Sequence, residues 1–141
     1  MSDYGLHHGT GSPPTALVVE DHGHIAFLLE QMMLREGFDV DMATDGKQAA
    51  EYIARRDPVG IVVLDVMLPY QDGFEVLRLI RAHSDWRRVP VIMLSARTQE
   101  GDVVRALNAG ANDYVCKPYK PAELLARIKR AYREAHDAVA V

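Results

Sequence analysis

The sequence is short of cysteine, of basic charge and of long apolar runs, and each shortage argues against a class of protein. Its one cysteine, Cys116, cannot form an internal disulfide, which favours a reducing setting. No charged-then-apolar leader and no long apolar run suggests export or membrane insertion, so we expect a cytoplasmic protein without membrane contacts. The net charge of −4 argues against direct nucleic-acid binding, which normally shows as a basic excess.

The chain contains enough apolar sequence for one compact domain and is too short for two. It has 141 residues, of which 48% are hydrophobic. Residues 1–14 are rich in glycine and proline and offer little to bury, so they predict a flexible extension. We therefore expect a single domain over residues 15–136, followed by a short C-terminal tail over residues 137–141.

Short apolar strands alternate with segments of helical periodicity five times along this domain. The predicted strands end at Val19, Met42, Leu64, Leu94 and Cys116. The alternation predicts an α/β fold, a doubly wound five-stranded parallel sheet with five helices and the flavodoxin-like strand order 2-1-3-4-5. Residues 38–42 alternate apolar and acidic side chains, which predicts an edge strand. Gly37 and Gly110 are expected to end the first and fourth helices, and Asp45 to cap the second.

Asp65 is the residue that most needs explanation, because the four branched apolar residues 61–64 end on its carboxylate. Such a strand belongs in the middle of a parallel sheet and delivers its last residue to the carboxyl edge, where open α/β folds bind ligands. Since strands 1 and 3 are neighbours in the predicted order, Glu20 and Asp21 should meet Asp65 at that edge. Taken singly, Asp65 could equally cap the next helix, and Glu20-Asp21 could cap the first.

Three carboxylates in a small space need either protons or a cation. Two unit charges about 4 Å apart repel by roughly 4 kcal/mol at an effective dielectric of about 20. A hard divalent ion with oxygen ligands, with Mg²⁺ as the candidate, resolves this repulsion best. Ser95 after strand 4 and Lys117 after strand 5 add a hydroxyl and an ammonium at the same edge. Together these groups suit phosphoryl transfer to Asp65.

These motifs closely resemble the receiver domain of two-component response regulators, a CheY-like family, over about residues 15–135. The matching pieces are Glu20-Asp21, Asp65-Val66-Met67-Leu68-Pro69, Asp72-Gly73, Ser95-Ala96, Gly110-Ala111-Asn112-Asp113-Tyr114 and Lys117-Pro118. The resemblance implies a phosphorylation-dependent switch in which Asp65 accepts phosphate from a phosphohistidine. The donor would be a sensor histidine kinase or a histidine phosphotransfer protein.

The resemblance also implies roles for the residues around Asp65. Asp21, Asp65 and the backbone carbonyl of Met67 would ligate Mg²⁺, with Glu20 helping through water. Lys117 would bridge to the phosphate and would be oriented by a cis bond to Pro118. No other cofactor is implied.

The implied signal passes from Asp65 through Ser95 to Tyr114. Phosphorylation adds nearly two negative charges, and the Ser95 hydroxyl is the donor placed to move toward them. In the family that movement frees space for an aromatic ring, which here is Tyr114. The output surface would be helix 4, strand 5 and helix 5, which would dock a downstream protein that the sequence does not identify.

The same surface is a candidate homodimer interface. Asp113, Glu123 and Arg127 match charged positions through which many related receivers form symmetric dimers. The match is partial, because Val103 and Glu134 replace residues that are usually basic.

Two further features carry weaker hypotheses. Met67 and Arg97 stand two residues after Asp65 and Ser95, positions that in the family influence hydrolysis of the acyl phosphate. Our hypothesis is that these long side chains slow the access of water. The segment 22–24, His-Gly-His, could form a transition-metal site, but it lacks a soft third ligand within reach in the sequence.

Three functions compete. The first is a stand-alone switch that docks partners and is not an enzyme, beyond self-catalysed phosphorylation and dephosphorylation; we favour it because few residues follow helix 5. The second is a receiver cut from a longer DNA-binding or enzymatic regulator. The third is a metal-dependent aspartyl-phosphate phosphatase, but that class needs a second aspartate two residues after the nucleophile, where this chain has Met67.

Overall fold

Strands and helices alternate throughout the computed structural model, which describes residues 12–96 and 99–140. The strands are β1 (Thr15–Val19), β2 (Asp39–Ala43), β3 (Ile61–Asp65), β4 (Val91–Ser95) and β5 (Asp113–Cys116). The helices are α1 (Gly23–Arg35), α2 (Gly46–Arg55), α3 (Gly73–Ala82), α4 (Glu100–Asn108) and α5 (Pro121–Ala140). The predicted succession of five strand–helix units is confirmed.

The strands form one parallel sheet in the order β2-β1-β3-β4-β5, which confirms the predicted topology. β2 is an edge strand, as its alternating pattern indicated. β1 and β3 are neighbours, and Val19 pairs with Leu64. The residues that follow this pair, Glu20 and Asp65, therefore lie side by side at the carboxyl edge of the sheet.

The sheet separates two apolar layers, one under α2, α3 and α4 and the other under α1 and α5. Val62 and Leu64 of β3 face the first layer, and Ile61 and Val63 face the second. Every residue of β3 and of β4 is buried. A strand that is covered on both faces has no place for a polar residue until it reaches the edge, which explains the continuous apolar runs in the sequence.

Three helix boundaries were predicted from single residues, and the structure confirms them. Asp45 caps α2, because its carboxylate accepts a hydrogen bond of 2.7 Å from the backbone N–H of Gln48. Gly37 and Gly110 follow the ends of α1 and α4 with φ angles of 100° and 104°. This is the left-handed conformation in which a residue without a Cβ atom is unstrained.

Asp72, and not Asp65, caps the helix that follows the central strand. The Asp72 carboxylate accepts a hydrogen bond of 3.0 Å from the backbone N–H of Glu75, and the Glu75 carboxylate accepts one of 2.9 Å from the backbone N–H of Asp72. This reciprocal pair is a capping box. The interpretation of Asp65 as a helix cap is therefore wrong.

The first strand and the last helix lie near the two ends of the described chain. β1 begins at Thr15, the first residue of the predicted domain. Pro14 is already tied to the sheet, because its carbonyl accepts a hydrogen bond of 2.8 Å from the N–H of Asp39. α5 continues to Ala140, past the boundary predicted at residue 136. Most of the predicted N-terminal extension, residues 1–11, lies outside the described residues.

Candidate functional site

Asp65 ends the central strand with its side chain almost completely buried, at 4% exposure. Its Oδ1 accepts a hydrogen bond of 3.0 Å from the backbone N–H of Met67, and its Oδ2 lies 2.8 Å from Nζ of Lys117. Both oxygens are thus held, and the carboxylate has a defined orientation. The fold brings Asp65 and Lys117 into contact although 52 positions separate them in the sequence.

Glu20 is a second buried acid beside Asp65 and shares the same lysine. Its Oε1 lies 3.2 Å from Nζ of Lys117, and its Oε2 accepts a hydrogen bond of 3.2 Å from the N–H of His22. Burial raises the pKa of Glu20, and the charge of Asp65 raises it further. Repulsion between neighbouring acids is the effect expected at this edge of the sheet.

Burial and the neighbouring acids have opposite effects on the pKa of Lys117. Burial lowers the pKa of Lys117, but hydrogen bonding to Asp65 and the charges of Asp65 and Glu20 outweigh burial, so that its pKa is raised overall. The ammonium therefore stays protonated at neutral pH. When both acids are ionised, one lysine balances one of the two negative charges, and the site keeps an attraction for a further cation.

Asp21 lies on the loop side of the site. It lines an open cavity with a volume of about 340 Å³. The other lining residues belong to the loop between β3 and α3, namely Val66, Met67, Leu68, Pro69 and Asp72. Potential ligand atoms of Glu20, Asp21 and His22 all lie within 4.8 Å of one another. Asp65 is not a member of that group of three, and its oxygens contact Lys117 and the backbone N–H of Met67.

The donor set around the cavity fits a hard divalent cation. Carboxylate and carbonyl oxygens are the ligands that Mg²⁺ prefers, and the cavity beside Asp21 leaves room for the water molecules that Mg²⁺ retains. Nδ1 of His22 lies 3.5 Å from oxygens of Glu20 and Asp21, so an imidazole also borders the acids. His24 is not a member of the group formed by Glu20, Asp21 and His22, and the transition-metal hypothesis for residues 22–24 stays a hypothesis.

The loop after Asp65 packs tightly against the end of the strand. A Cβ atom on Gly73 would lie 2.4 Å from the carbonyl oxygen of Asp65, so only glycine fits there. Tyr70 is the non-glycine residue of the described chain with a positive φ, at 70°, and its side chain is 80% exposed. The sequence did not reveal Tyr70, because proline and Asp-Gly signals indicate a turn without telling which residue is left-handed.

Ser95 and Lys117 come together through the pairing of β4 with β5. Ser95 is paired with Cys116, and the backbone N–H of Lys117 donates a hydrogen bond of 2.8 Å to the Ser95 carbonyl. Ser95 is fully buried, and Tyr114 is 8% exposed within the layer under α2, α3 and α4. The Lys117–Pro118 peptide bond is cis, as the resemblance implied.

The charged residues of the candidate dimer surface are paired within one chain. Guanidinium nitrogens of Arg127 lie 3.0 Å from Asp113 and 3.0 Å from Glu123. Val103 packs against the core layer under α2, α3 and α4. Of the two residues in the water-access hypothesis, Met67 is exposed beside the cavity, and Arg97 lies outside the described residues.

None of the helices in residues 12–96 and 99–140 combines the length and the apolar content that a bilayer crossing requires.

The sequence comparisons find a family match over most of the chain. The family described as the response regulator receiver domain matches residues 16–129. Among curated proteins, the DNA-binding response regulator MtrA of Mycolicibacterium smegmatis is 43% identical over 121 residues, which is 86% of this chain and 51% of MtrA. The chain thus spans about half the length of the curated relatives it matches.

Solved structures of the same family are similar throughout the domain. The receiver domain of the sensor histidine kinase PA1611 from Pseudomonas aeruginosa, with a magnesium ion coordinated in its active site cleft, is 37% identical with a TM-score of 0.76, over 85% of this chain and 98% of that one. A CheY-like receiver domain protein from Methanospirillum hungatei is 28% identical with a TM-score of 0.81, over 90% of this chain and 99% of that one. The family match, the five-stranded sheet and the acids at its carboxyl edge agree, and the chain belongs to the response regulator receiver domains of two-component signal transduction.

Proposed function

We propose that Asp65 is the phosphoacceptor of this receiver domain. The observation that carries the proposal is the contact of 2.8 Å between Oδ2 of a buried Asp65 and Nζ of Lys117, with Oδ1 held by the N–H of Met67. A carboxylate oxygen of Asp65 attacks the phosphorus of a phosphohistidine, the phosphorus–nitrogen bond breaks, and the imidazole leaves with its electron pair. The product is an acyl phosphate.

Lys117 supplies positive charge where the phosphoryl oxygens arrive. Its ammonium already lies between Glu20 and Asp65, and its raised pKa keeps it charged at neutral pH. A group placed in advance at the developing charge stabilises the transition state without reorganisation. Lys117 is therefore assigned both to the transfer step and to holding the phosphorylated form.

The residues that would hold Mg²⁺ are Asp21, Asp65 and the backbone carbonyl of Met67, with Glu20 acting through water. The open cavity beside Asp21 and Met67 supports this assignment. When bound, the ion neutralises negative charge on the acids and on the phosphoryl oxygens.

The assigned switch residues are Ser95 and Tyr114. The Ser95 hydroxyl approaches the new phosphoryl charge, and Tyr114 takes the space that this movement frees. The buried location of both side chains supports these roles. The output surface is α4, β5 and α5. A homodimer through this surface would exchange the present contacts of Arg127 within the chain for contacts between chains.

The partners follow from the family chemistry. The proposed phosphate donor is a sensor histidine kinase or a histidine phosphotransfer protein, and the proposed location is the cytoplasm. The domain passes the signal to another protein. The domain works either alone or as the receiver half of a longer regulator, since the relatives are about twice the length of the matched segment. Asp65 is a phosphate acceptor in this scheme and not the nucleophile of a phosphatase, because Met67 offers no general acid two residues later.

The direct test is phosphorylation by a small donor. Wild type, Asp65→Asn and the control Asp57→Asn, which changes an exposed acid in the loop before β3, are incubated with acetyl phosphate and Mg²⁺. Intact mass should show one added phosphoryl group on wild type and on the control and none on Asp65→Asn. A phosphorylated Asp65→Asn protein, or a wild type that never gains mass, would contradict the proposal.

A further inference from the structure

Helix α4, part of the proposed output surface, is held to the domain by few buried side chains. Ala106 is the one buried residue of the helix, and Val104 and Leu107 are about half exposed. The N-cap residue, Gln99, makes no side-chain hydrogen bond to the first turn. An element with little buried apolar surface is one that can shift at low cost in free energy.

The C-terminal end of α4 is fixed to α3. Arg81 of α3 donates hydrogen bonds of 3.0 and 2.6 Å to the carbonyl of Gly110, just beyond the end of α4. Gly110 has a φ angle of 104°, and a Cβ atom there would lie 2.9 Å from Nε of Arg81. This close contact ties the end of α4 to α3, so a movement of α4 would pivot about this end.

A second contact joins the middle of α4 to the start of α3. The Arg105 guanidinium carbon lies 3.8 Å from the centroid of the Phe74 ring, a cation–π geometry. Arg105 itself is exposed, whereas the ring that it covers is 3% exposed. Phe74 belongs to the same apolar layer as Ala106 and Tyr114, so the contact joins α4 to the layer that holds the proposed switch residue.

Phe74 is connected to the backbone of Asp65 through Gly73. It follows Gly73, whose N–H donates a hydrogen bond of 2.8 Å to the carbonyl of Val66. The Gly73 backbone packs so closely on Asp65 that no side chain fits between them. A continuous path of contacts therefore leads from the Asp65 backbone through Gly73 and Phe74 to Arg105 on α4.

We propose that the Arg105–Phe74 contact is a latch that holds α4 in the arrangement in which Tyr114 is buried, with Gly110 and Arg81 as the pivot. The inference rests on the proposed function, because that arrangement is the one that the switch adopts when Asp65 carries a phosphoryl group. Arg105 is then a positioning residue that acts through Phe74. By linkage, loss of the latch weakens binding of a phosphoryl analogue at Asp65 as much as it disfavours that arrangement.

The test uses beryllofluoride, a phosphoryl analogue, with Mg²⁺ in titration calorimetry. Arg105→Met removes the charge and keeps the length, and it should weaken beryllofluoride binding by about two- to fivefold, the range for an exposed cation–π contact. Arg105→Lys keeps a cation and should bind nearly as wild type does. The matched control, Arg78→Met, removes an exposed arginine from α3 and should change nothing. Equal affinities of wild type and Arg105→Met, or no recovery with lysine, would overturn the proposal.

A double-mutant cycle identifies the ring as the partner. In a Phe74→Leu background, Arg105→Met should have no further effect on beryllofluoride affinity, since the latch is already open. If Arg105→Met weakened beryllofluoride binding as much in that background as in wild type, Arg105 would act through another group and the latch proposal would be refuted.

Amide hydrogen exchange separates failure of the latch from failure of the proposed function. Without beryllofluoride, Arg105→Met should speed exchange in residues 100–108 and leave α5 unchanged. Unchanged exchange in α4 rules out the latch whatever the affinities are. If wild type binds no beryllofluoride, the phosphoacceptor proposal and the coupling fail together. Faster exchange with unchanged affinity refutes the coupling alone.

Discussion

Two buried acids, Asp65 and Glu20, share the ammonium of Lys117 at the carboxyl edge of the sheet, and their contacts with it are unequal. Asp65 has the shorter contact with Lys117, 2.8 Å against 3.2 Å for Glu20. Burial and the charge of Asp65 both raise the pKa of Glu20, so ionised Glu20 costs the folded state free energy. A bound cation would offset that cost, which gives Glu20 a role in cation affinity without direct ligation.

Replacing Glu20 by glutamine should therefore stabilise the cation-free protein. The folded-state pKa of Glu20 lies above its ordinary value of 4.5, so ionisation lowers the stability of wild type as pH rises through the interval between those two values. Glu20→Gln lacks this loss, and at pH 8 in chelator its free energy of unfolding should exceed that of wild type by about 1 kcal/mol. Urea unfolding at pH 4 and pH 8 measures the difference.

Glu51→Gln, on the exposed face of α2, is the matched control and should match wild type at both pH values. A Glu20→Gln protein that is less stable than wild type at pH 8 would mean that the bonds of Glu20 to Lys117 and His22 outweigh its burial.

At the same scale, the sequence predicted that Glu20, Asp65 and Lys117 meet but not how they pair, and no contact joins Asp21 to Asp65 among the described residues. Glu20, Asp65 and Lys117 each follow an apolar strand, and parallel strands end at one edge, so their convergence could be predicted from chain order. Which side chain contacts which partner could not be predicted, because this depends on side-chain rotamers and on differences in distance that the sequence does not encode. Asp65 contacts Lys117 and Met67, whereas Asp21 borders the loop cavity.

Arg81 shows what a sequence pattern cannot reveal at the scale of elements. Its guanidinium is partly buried and donates to the backbone carbonyls of Arg87, Val89 and Gly110 and to the side chain of Asn112. Burial lowers the pKa of Arg81. Helix ends at Gly37 and Asp45 could be predicted because glycine and aspartate have local roles there. Arg81 looks like one more charged position on α3, since its partners are distant backbone groups that carry no signal in the sequence.

Arg81→Met should destabilise the domain by roughly 2–3 kcal/mol, because it removes a charged donor from the partly buried carbonyls of Val89 and Gly110. Arg81→Lys should recover little of this loss, since a single ammonium cannot reach carbonyls on two sides as the planar guanidinium does. Urea unfolding monitored by circular dichroism gives both values, with Arg78→Met as the control for charge. Stability of Arg81→Met within 0.5 kcal/mol of wild type, the range of ordinary surface substitutions, would contradict this account.

At the scale of the whole molecule, the sequence sufficed for the topology because the hydrophobic pattern is consistent throughout. Strands β3 and β4 read as apolar on both faces, β2 reads as half exposed, and the structure has them at the centre and at the edge. What the pattern lacks is the coupling between elements, such as Arg105 on Phe74, which depends on how α3 and α4 pack.

The cation should stabilise the whole domain and not only its site, because the proposed ligands come from the ends of β1 and β3 and from the loop that leads to α3. Ligand that binds only the folded state at 100 times its Kd adds about 2.7 kcal/mol to the free energy of unfolding. At saturating Mg²⁺ the thermal midpoint of wild type should therefore rise by roughly 5–10 °C over its value in chelator. Asp21→Asn should lose most of this rise, and the control Asp57→Asn should keep all of it. An equal rise in Asp21→Asn would mean that the ion binds elsewhere, because the side chain that borders the cavity would then be irrelevant to its affinity.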